Sequence, residues 1–220
     1  MSQDNWSPPI IPTPNSSFLR LFFGMRPLWA TLTAVTALLT ATGCGGGHPS
    51  FNGVVYDPPE PAPAMQLTRG DGSSFDLREQ RGSVVLVFFG YTHCPDICPM
   101  TLSDWVKVKR ALGGDASRVQ FVFVSVDPAR DTPALTQRYV SEFDPSFIGL
   151  TGDSAQVARA ENLFHVTSSR EKVQSANGYA VGHAAQSFVI SPQGRLRLLY
   201  PPGIPTDAVV SDIKKLLHHP

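Results

Sequence analysis

Apolar residues follow one another without a break from Val84 to Phe89 (Val-Val-Leu-Val-Phe-Phe), and almost without one from Val119 to Val126 (Val-Gln-Phe-Val-Phe-Val-Ser-Val). Runs of this length, rich in β-branched and aromatic side chains, predict strands buried on both faces, as in the interior of a parallel sheet. Between them the spacing changes. Leu102, Trp105, Val106, Val108 and Leu112 recur at helical intervals over Thr101–Leu112,, and Gly113-Gly114 predicts the end of that helix. Strand, helix and strand in this order make a βαβ unit.

The flanking pattern extends the unit on both sides. Gln66-Leu67-Thr68 and Ser74-Phe75-Asp76-Leu77 bracket Arg69-Gly70-Asp71-Gly72, a hairpin signal,. After the second buried strand comes a loop, Asp127-Pro128-Ala129-Arg130-Asp131-Thr132-Pro133, in which Thr132 is placed to cap a helix opened by Pro133 and reaching about Glu142,. Phe147–Leu150 is strand-like and Ser154–Leu163 helical. Val166–Tyr179 is polar and holds the turn pair Asn177-Gly178,. Gln186–Ile190 and Arg195–Tyr200, joined by Pro192-Gln193-Gly194, predict an antiparallel hairpin, and Thr206–Leu217 a closing helix,. The result is an α/β domain over residues 65–220 with a thioredoxin-like plan. It has an N-terminal β-hairpin extension and a C-terminal β-hairpin plus helix.

The first 64 residues do not belong to that pattern. Met25-Arg26 precedes an apolar run, Pro27 to Thr42, then Gly43-Cys44 and three glycines. A charged start, a short apolar core and small residues before a cysteine are the parts of a secretory signal. Ala41-Thr42-Gly43-Cys44 resembles a bacterial lipobox, with alanine where leucine is usual; in such a motif Cys44 is lipidated and becomes the first mature residue. This layout puts the working start at Met25 and makes residues 1–44 a targeting segment. An uncleaved anchor is the alternative, since the uncharged stretch of about 17 residues approaches the roughly 20 that span a bilayer,. Either way the domain is tethered outside the cytoplasm, on the periplasmic side of a bacterial cytoplasmic membrane. Residues 45–64, with Asp57-Pro58-Pro59-Glu60-Pro61-Ala62-Pro63, read as a semi-rigid polyproline linker,.

Composition excludes some classes. Formal net charge is zero with Lys and Arg scattered, so no nucleic-acid partner is implied, and 42% hydrophobic residues suffice for a packed core,. Three cysteines do not make a disulfide scaffold,. Cys94 and Cys98 sit on the crossover between the Val84–Phe89 strand and the helix after Pro99, near a helix N-terminus whose positive end favours thiolate over thiol. A bridge between them would close so small a loop that chain entropy contributes only about 2 kcal/mol. Redox exchange or metal binding remains. Two thiolates suit Cu(I) or zinc, but closed zinc sites take four ligands, whereas Cys-Cys-His would satisfy Cu(I).

Which histidine completes such a set is open on position alone. His93 adjoins Cys94, and neighbouring side chains rarely converge on one ion. His165 reads as a packed or surface residue, His218 and His219 lie at the C-terminus, and His48 in the linker. His183 stands in Gly182-His183-Ala184-Ala185, where small neighbours allow close approach of two loops.

Three segments together resemble the Sco/SenC proteins. They are Phe89-Gly90-Tyr91-Thr92-His93-Cys94-Pro95-Asp96-Ile97-Cys98-Pro99, Ser125-Val126-Asp127-Pro128-Ala129-Arg130-Asp131-Thr132-Pro133, and Gly178-Tyr179-Ala180-Val181-Gly182-His183. The resemblance runs over essentially all of 65–217. It implies a thioredoxin-like fold that binds one copper ion, as Cu(I) or Cu(II), through Cys94, Cys98 and His183. It also implies a part in assembling the copper-A centre of cytochrome c oxidase, by delivering copper or by reducing the target cysteines. The partners implied are the copper-A subunit and, upstream, another copper chaperone or a thioredoxin-like reductant. Asp127 is expected either as an outer-shell oxygen contact or as a cap of its own loop. Ala184 stands where the family commonly has serine or threonine, which leaves the tautomer of His183 open.

The competing expectation is a membrane-tethered thiol-disulfide oxidoreductase or thiol peroxidase, with Cys94 or Cys98 as nucleophile and no use for His183. A copper or redox sensor without a delivery role is the third.

Overall fold

The computed structural model describes residues 50–172 and 179–218. Met25, the Pro27–Thr42 run, Cys44, His48, the Asn177-Gly178 turn and His219 lie outside the described residues. In chain order the strands and helices are β1 (Val54–Pro61), β2 (Gln66–Arg69), β3 (Ser74–Asp76), β4 (Val84–Gly90), α1 (Ile97–Leu112), β5 (Val119–Ser125), α2 (Pro133–Ser141) and β6 (Ile148–Thr151). They continue with α3 (Ser154–Leu163), β7 (Ser168–Lys172), β8 (Tyr179–His183), β9 (Ser187–Ile190), β10 (Arg195–Tyr200) and α4 (Thr206–His218). None of the described helices is long and apolar enough to cross a membrane.

Eight strands form one sheet in the order β1-β10-β9-β4-β5-β6-β2-β3, and β7 and β8 pair separately. β4 and β5 are parallel neighbours in register from Val84↔Val119 to Gly90↔Ser125, so α1 is the crossover of a βαβ unit,. Every residue of β4 is buried, as its unbroken apolar run predicts. Successive side chains on a strand point to opposite faces. Phe88 accordingly packs edge-on against Trp105 of α1, while Phe89 meets Phe164 and Phe188. The α/β, thioredoxin-like plan read from the apolar pattern is the observed one.

Helix boundaries follow local chemistry. Thr132 accepts a hydrogen bond from the Leu135 N–H at 3.2 Å and caps α2,. Gly113, at φ 59°, closes α1 in the left-handed region,. α1 begins earlier than its apolar spacing shows, at Ile97, with Pro99 inside the first turn where a missing N–H removes no intrahelical bond,.

The spacer expected over 45–64 needs correction. Val54–Pro61 is the edge strand β1, paired antiparallel with β10 at Val54↔Leu199, Val55↔Leu198, Glu60↔Leu196 and Pro61↔Arg195. The register breaks between Val55 and Glu60, which is where Pro58 and Pro59 sit. An edge strand tolerates proline at such an irregularity because no neighbour needs the lost N–H. Just upstream, the buried Asp212 of α4 accepts the backbone N–H groups of Asn52 and Gly53 at 2.8 and 3.0 Å. The folded unit therefore starts well before Met65.

Topology also sets where the chain enters. β10 is antiparallel to β9, and β9 to β4, so β10 and β4 run the same way. Val54 faces Leu199 near the C-terminal end of β10. The N-terminal segment thus joins the sheet at the same end at which β4 delivers the cysteine loop.

Candidate metal centre

The two cysteines stand where strand gives way to helix. After Gly90 the chain turns, the Cys94 N–H donating to the Tyr91 carbonyl at 3.2 Å, and enters α1 at Ile97. Cys98 then falls in the first turn of α1, fully buried, and Cys94 stays half-buried just outside it; both are free thiols. The backbone N–H of Cys98 points at Cys94 Sγ from 3.5 Å. An N–H that no helical carbonyl claims is thereby directed at a sulfur.

His183 arrives from the far side. It is the last residue of β8 and faces Ser168 of β7. Its Nε2 lies 3.5 Å from Cys98 Sγ, and its ring meets Phe88 and Tyr91 edge to face at 5.8 Å each. Nδ1 lies 3.1 Å from the Ala184 carbonyl oxygen. A carbonyl can only accept, so Nδ1 carries the proton and the Nε2 lone pair is turned to the sulfurs. The alanine at 184 therefore does not leave the tautomer undefined: the backbone of that residue supplies the bond.

Electrostatics separate the two thiols. Cys94 is held down at about 4, first by the hydrogen bond from the Cys98 thiol and then by the backbone N–H groups of Asp96 and Cys98. Cys98 is pushed far up, because its proton is the one shared with Cys94 and because it is buried. The shared hydrogen bond and the deeper burial of Cys98 thus favour the thiolate on Cys94 and the thiol on Cys98. Cys94 is the more accessible of the two sulfurs and stands next to a second thiol.

Sγ of Cys94, Sγ of Cys98 and a ring nitrogen of His183 all lie within 4.8 Å of one another, a spacing on which a single ion can sit. Two soft sulfurs and one imidazole fit Cu(I) and leave a zinc site one ligand short.

Residues 57–218 match the SCO1/SenC family. The chain belongs to that family. Among solved SCO1/SenC structures, the apo Sco1 protein of Thermus thermophilus is 39% identical, with a TM-score of 0.70 over 78% of this chain and 100% of that one. Copper-bound ScoI of Bradyrhizobium japonicum is 35% identical, with a TM-score of 0.65 over 72% of this chain and 99% of that one. The mouse mitochondrial SCO2 homologue is 38% identical over 67% of this chain, and the match spans 61% of that protein's length.

In this SCO1/SenC domain the acidic residues of the loop after β5 divide their work in a way the sequence did not show. Asp127 is buried, and its carboxylate pairs with the Nε of Arg130 and accepts the Tyr179 hydroxyl at 2.8 and 3.1 Å. Its described hydrogen bonds reach none of the three donor atoms. Its backbone carbonyl takes the N–H groups of Arg130 and Asp131, at 3.1 and 2.9 Å, a turn of the main chain alone. Asp131, also buried, is the residue that braces the cysteine loop. It accepts the Thr92 N–H at 2.9 Å, the Thr92 hydroxyl at 2.6 Å and the Ser125 hydroxyl at 2.5 Å. Nothing in a run of Asp-x-x-x-Asp distinguishes the two carboxylates; only their side-chain directions do.

The remaining described histidines stay away from the centre. His93 is exposed, with Nδ1 3.0 Å from the Thr92 hydroxyl, His165 is exposed at the end of α3, and His218 lies beside Asp115.

Proposed function

We propose that this chain is a copper metallochaperone of cytochrome c oxidase assembly, with Cys94, Cys98 and His183 as the ligands of one copper ion held as cargo. The observation that carries the reading is the convergence of two sulfurs and an imidazole nitrogen from elements far apart in the chain. Copper-bound relatives of the same fold and the association of the family with oxidase assembly support it. Because ligating sulfur is deprotonated, copper loading displaces the proton the thiol pair holds. Half-exposed Cys94 is the donor that an incoming ligand of the copper-A subunit reaches first.

The same arrangement supports reduction of the target. Cys94 thiolate attacks an oxidised target disulfide and forms a mixed disulfide, one target sulfur leaving as thiolate. Cys98, losing its proton, then attacks Cys94 and releases the second target thiolate. The chaperone is left oxidised, two electrons having passed to the target, and a thioredoxin-like reductant must restore it.

Tethering on the periplasmic face, through lipidated Cys44 or an uncleaved anchor, belongs to this reading. Val54 enters the sheet at the end that carries the cysteine loop.

The deciding experiment loads reduced protein with copper and measures transfer to the isolated copper-A domain. Wild type is expected to bind one copper and pass it on. Cys94→Ser and Cys98→Ser are expected to bind both Cu(I) and Cu(II) more weakly, and His183→Ala to bind Cu(II) more weakly. Unchanged copper binding in either serine variant, or unchanged Cu(II) binding in His183→Ala, would remove that residue from the ligand set, and rapid turnover of peroxide by metal-free protein would favour a peroxidase.

A further inference from the structure

His183 rides on a two-stranded sheet that shares no ladder with the eight-stranded one. Its position over the sulfurs is therefore decided by whatever fastens β8 to the body of the domain. Residues two apart on a strand share a face, so Tyr179, Val181 and His183 all point the same way. Val181 is buried. The firmest attachment is at the other end of the strand. The Tyr179 hydroxyl donates to both oxygens of Asp127, the Arg130 guanidinium lies 3.7 Å over the Tyr179 ring, and Arg130 Nη1 donates to the Tyr179 carbonyl at 3.1 Å. Arg170 of β7 comes to 5.1 Å from the same ring and 3.6 Å from Asp127. Asp127 and Arg130 belong to the loop that follows β5, and β5 is locked in the parallel core against β4.

We propose that Tyr179, gripped by Asp127 and Arg130, is the latch that presents His183 to the two sulfurs, and that it sets how well the centre holds Cu(II) relative to Cu(I). The copper half of this rests on the ligand set proposed above. Two thiolates alone satisfy Cu(I), whereas Cu(II) favours a larger set that includes nitrogen. With the latch closed, sulfur, sulfur and imidazole act together. With β8 released, the imidazole leaves and only the Cu(I) form keeps its principal donors. Tyr179, Asp127 and Arg130 are positioning residues: they act on the metal only through the histidine strand.

Tyr179→Phe isolates the effect, since it keeps the ring over which Arg130 stacks and removes only the hydroxyl. Hydrogen exchange of the β8 amides in metal-free, reduced protein is expected to accelerate tenfold or more, the share of one charge-assisted hydrogen bond. The Cu(II) dissociation constant should rise tenfold to a hundredfold, the range for loss of an outer partner, with Cu(I) affinity within twofold of wild type. Asp127→Asn, checked for native circular dichroism, should move both quantities the same way. β8 exchange and Cu(II) affinity at wild-type values in both variants would overturn the proposal, as would equal losses of Cu(I) and Cu(II). Exchange in metal-free protein reads the latch without copper. A wild type that takes up no copper, while β8 still responds to Tyr179→Phe, would sink the ligand assignment and leave the latch standing.

Discussion

The Cys98 sulfur lies against Gly90, 2.8 Å from the place a Cβ on that glycine would occupy, and the Phe123 ring is 2.7 Å from the same point. Strand end and helix start are pressed together here with room for a hydrogen and nothing more. Gly90→Ala is expected to push α1 off the end of β4. The cost should be about 1–3 kcal/mol of stability, as for other overpacked cores, and copper affinity should fall because Cys98 moves. Urea denaturation together with a copper titration would check both.

The unequal thiols make a labelling prediction. The pKa of Cys94 is lowered to about 4 in the folded, metal-free protein, so its thiolate is present above that pH and is lost as pH falls through it. Iodoacetamide at pH 6 should therefore modify Cys94 well before Cys98, with the rate dropping on acidification toward pH 4. The largest cause is the hydrogen bond from Cys98, so Cys98→Ala should slow Cys94 labelling at pH 6 more than Cys98→Ser, which keeps a donor. Mass spectrometry of the peptide containing each cysteine reads the outcome.

Asp131 gathers three donors onto one buried carboxylate. Asp131→Ala would leave those donors without a partner, at roughly 1–3 kcal/mol for each group that water cannot reach. We expect a loss of about 3 kcal/mol or more, with Thr92 and the cysteine loop loosened, and so a second loss in copper affinity. Thermal unfolding and copper binding of the same variant should fall together. A copper affinity that survives the loss of stability would mean the loop does not need this brace.

The edge strand β1 gives the fourth prediction. Asp212 is fully buried and accepts from Asn52 and Gly53, with the Lys215 ammonium 3.5 Å away. A chain that begins at Met65 would lose these partners and uncover the β10 edge. Relative to one that begins at Ser50 it is expected to be less stable by at least about 3 kcal/mol, counting the hydrogen bonds to Asp212 alone, and more prone to associate through the bared edge. Chemical denaturation and light scattering of the two chains would settle it.

How much was legible varied with the range of the interaction. Val84–Phe89, the Thr101–Leu112 spacing and the Thr132-Pro133 start are local signals; β4 and α2 stand where those signals place them, and α1 starts a turn earlier, at Ile97. β1 was missed because its prolines argue for an extended spacer, and its partner β10 lies far along the chain. The two cysteines announce themselves by proximity to each other and to a helix start. His183 stood among six histidines, and on position alone it was a candidate without a decision; the likeness of its surroundings to one family is what raised it.

By itself the sequence determined the parallel core, the crossover that carries Cys94 and Cys98, and their place at a helix N-terminus, because each depends on residues within a turn or two of one another. Tertiary structure alone decided that His183 meets Cys98, that Asp127 holds the histidine strand while Asp131 holds the cysteine loop, and that Val54–Pro61 closes the sheet. Those contacts join residues dozens of positions apart. No periodicity in a chain records which distant side chains will fill the same small volume once the core has excluded water.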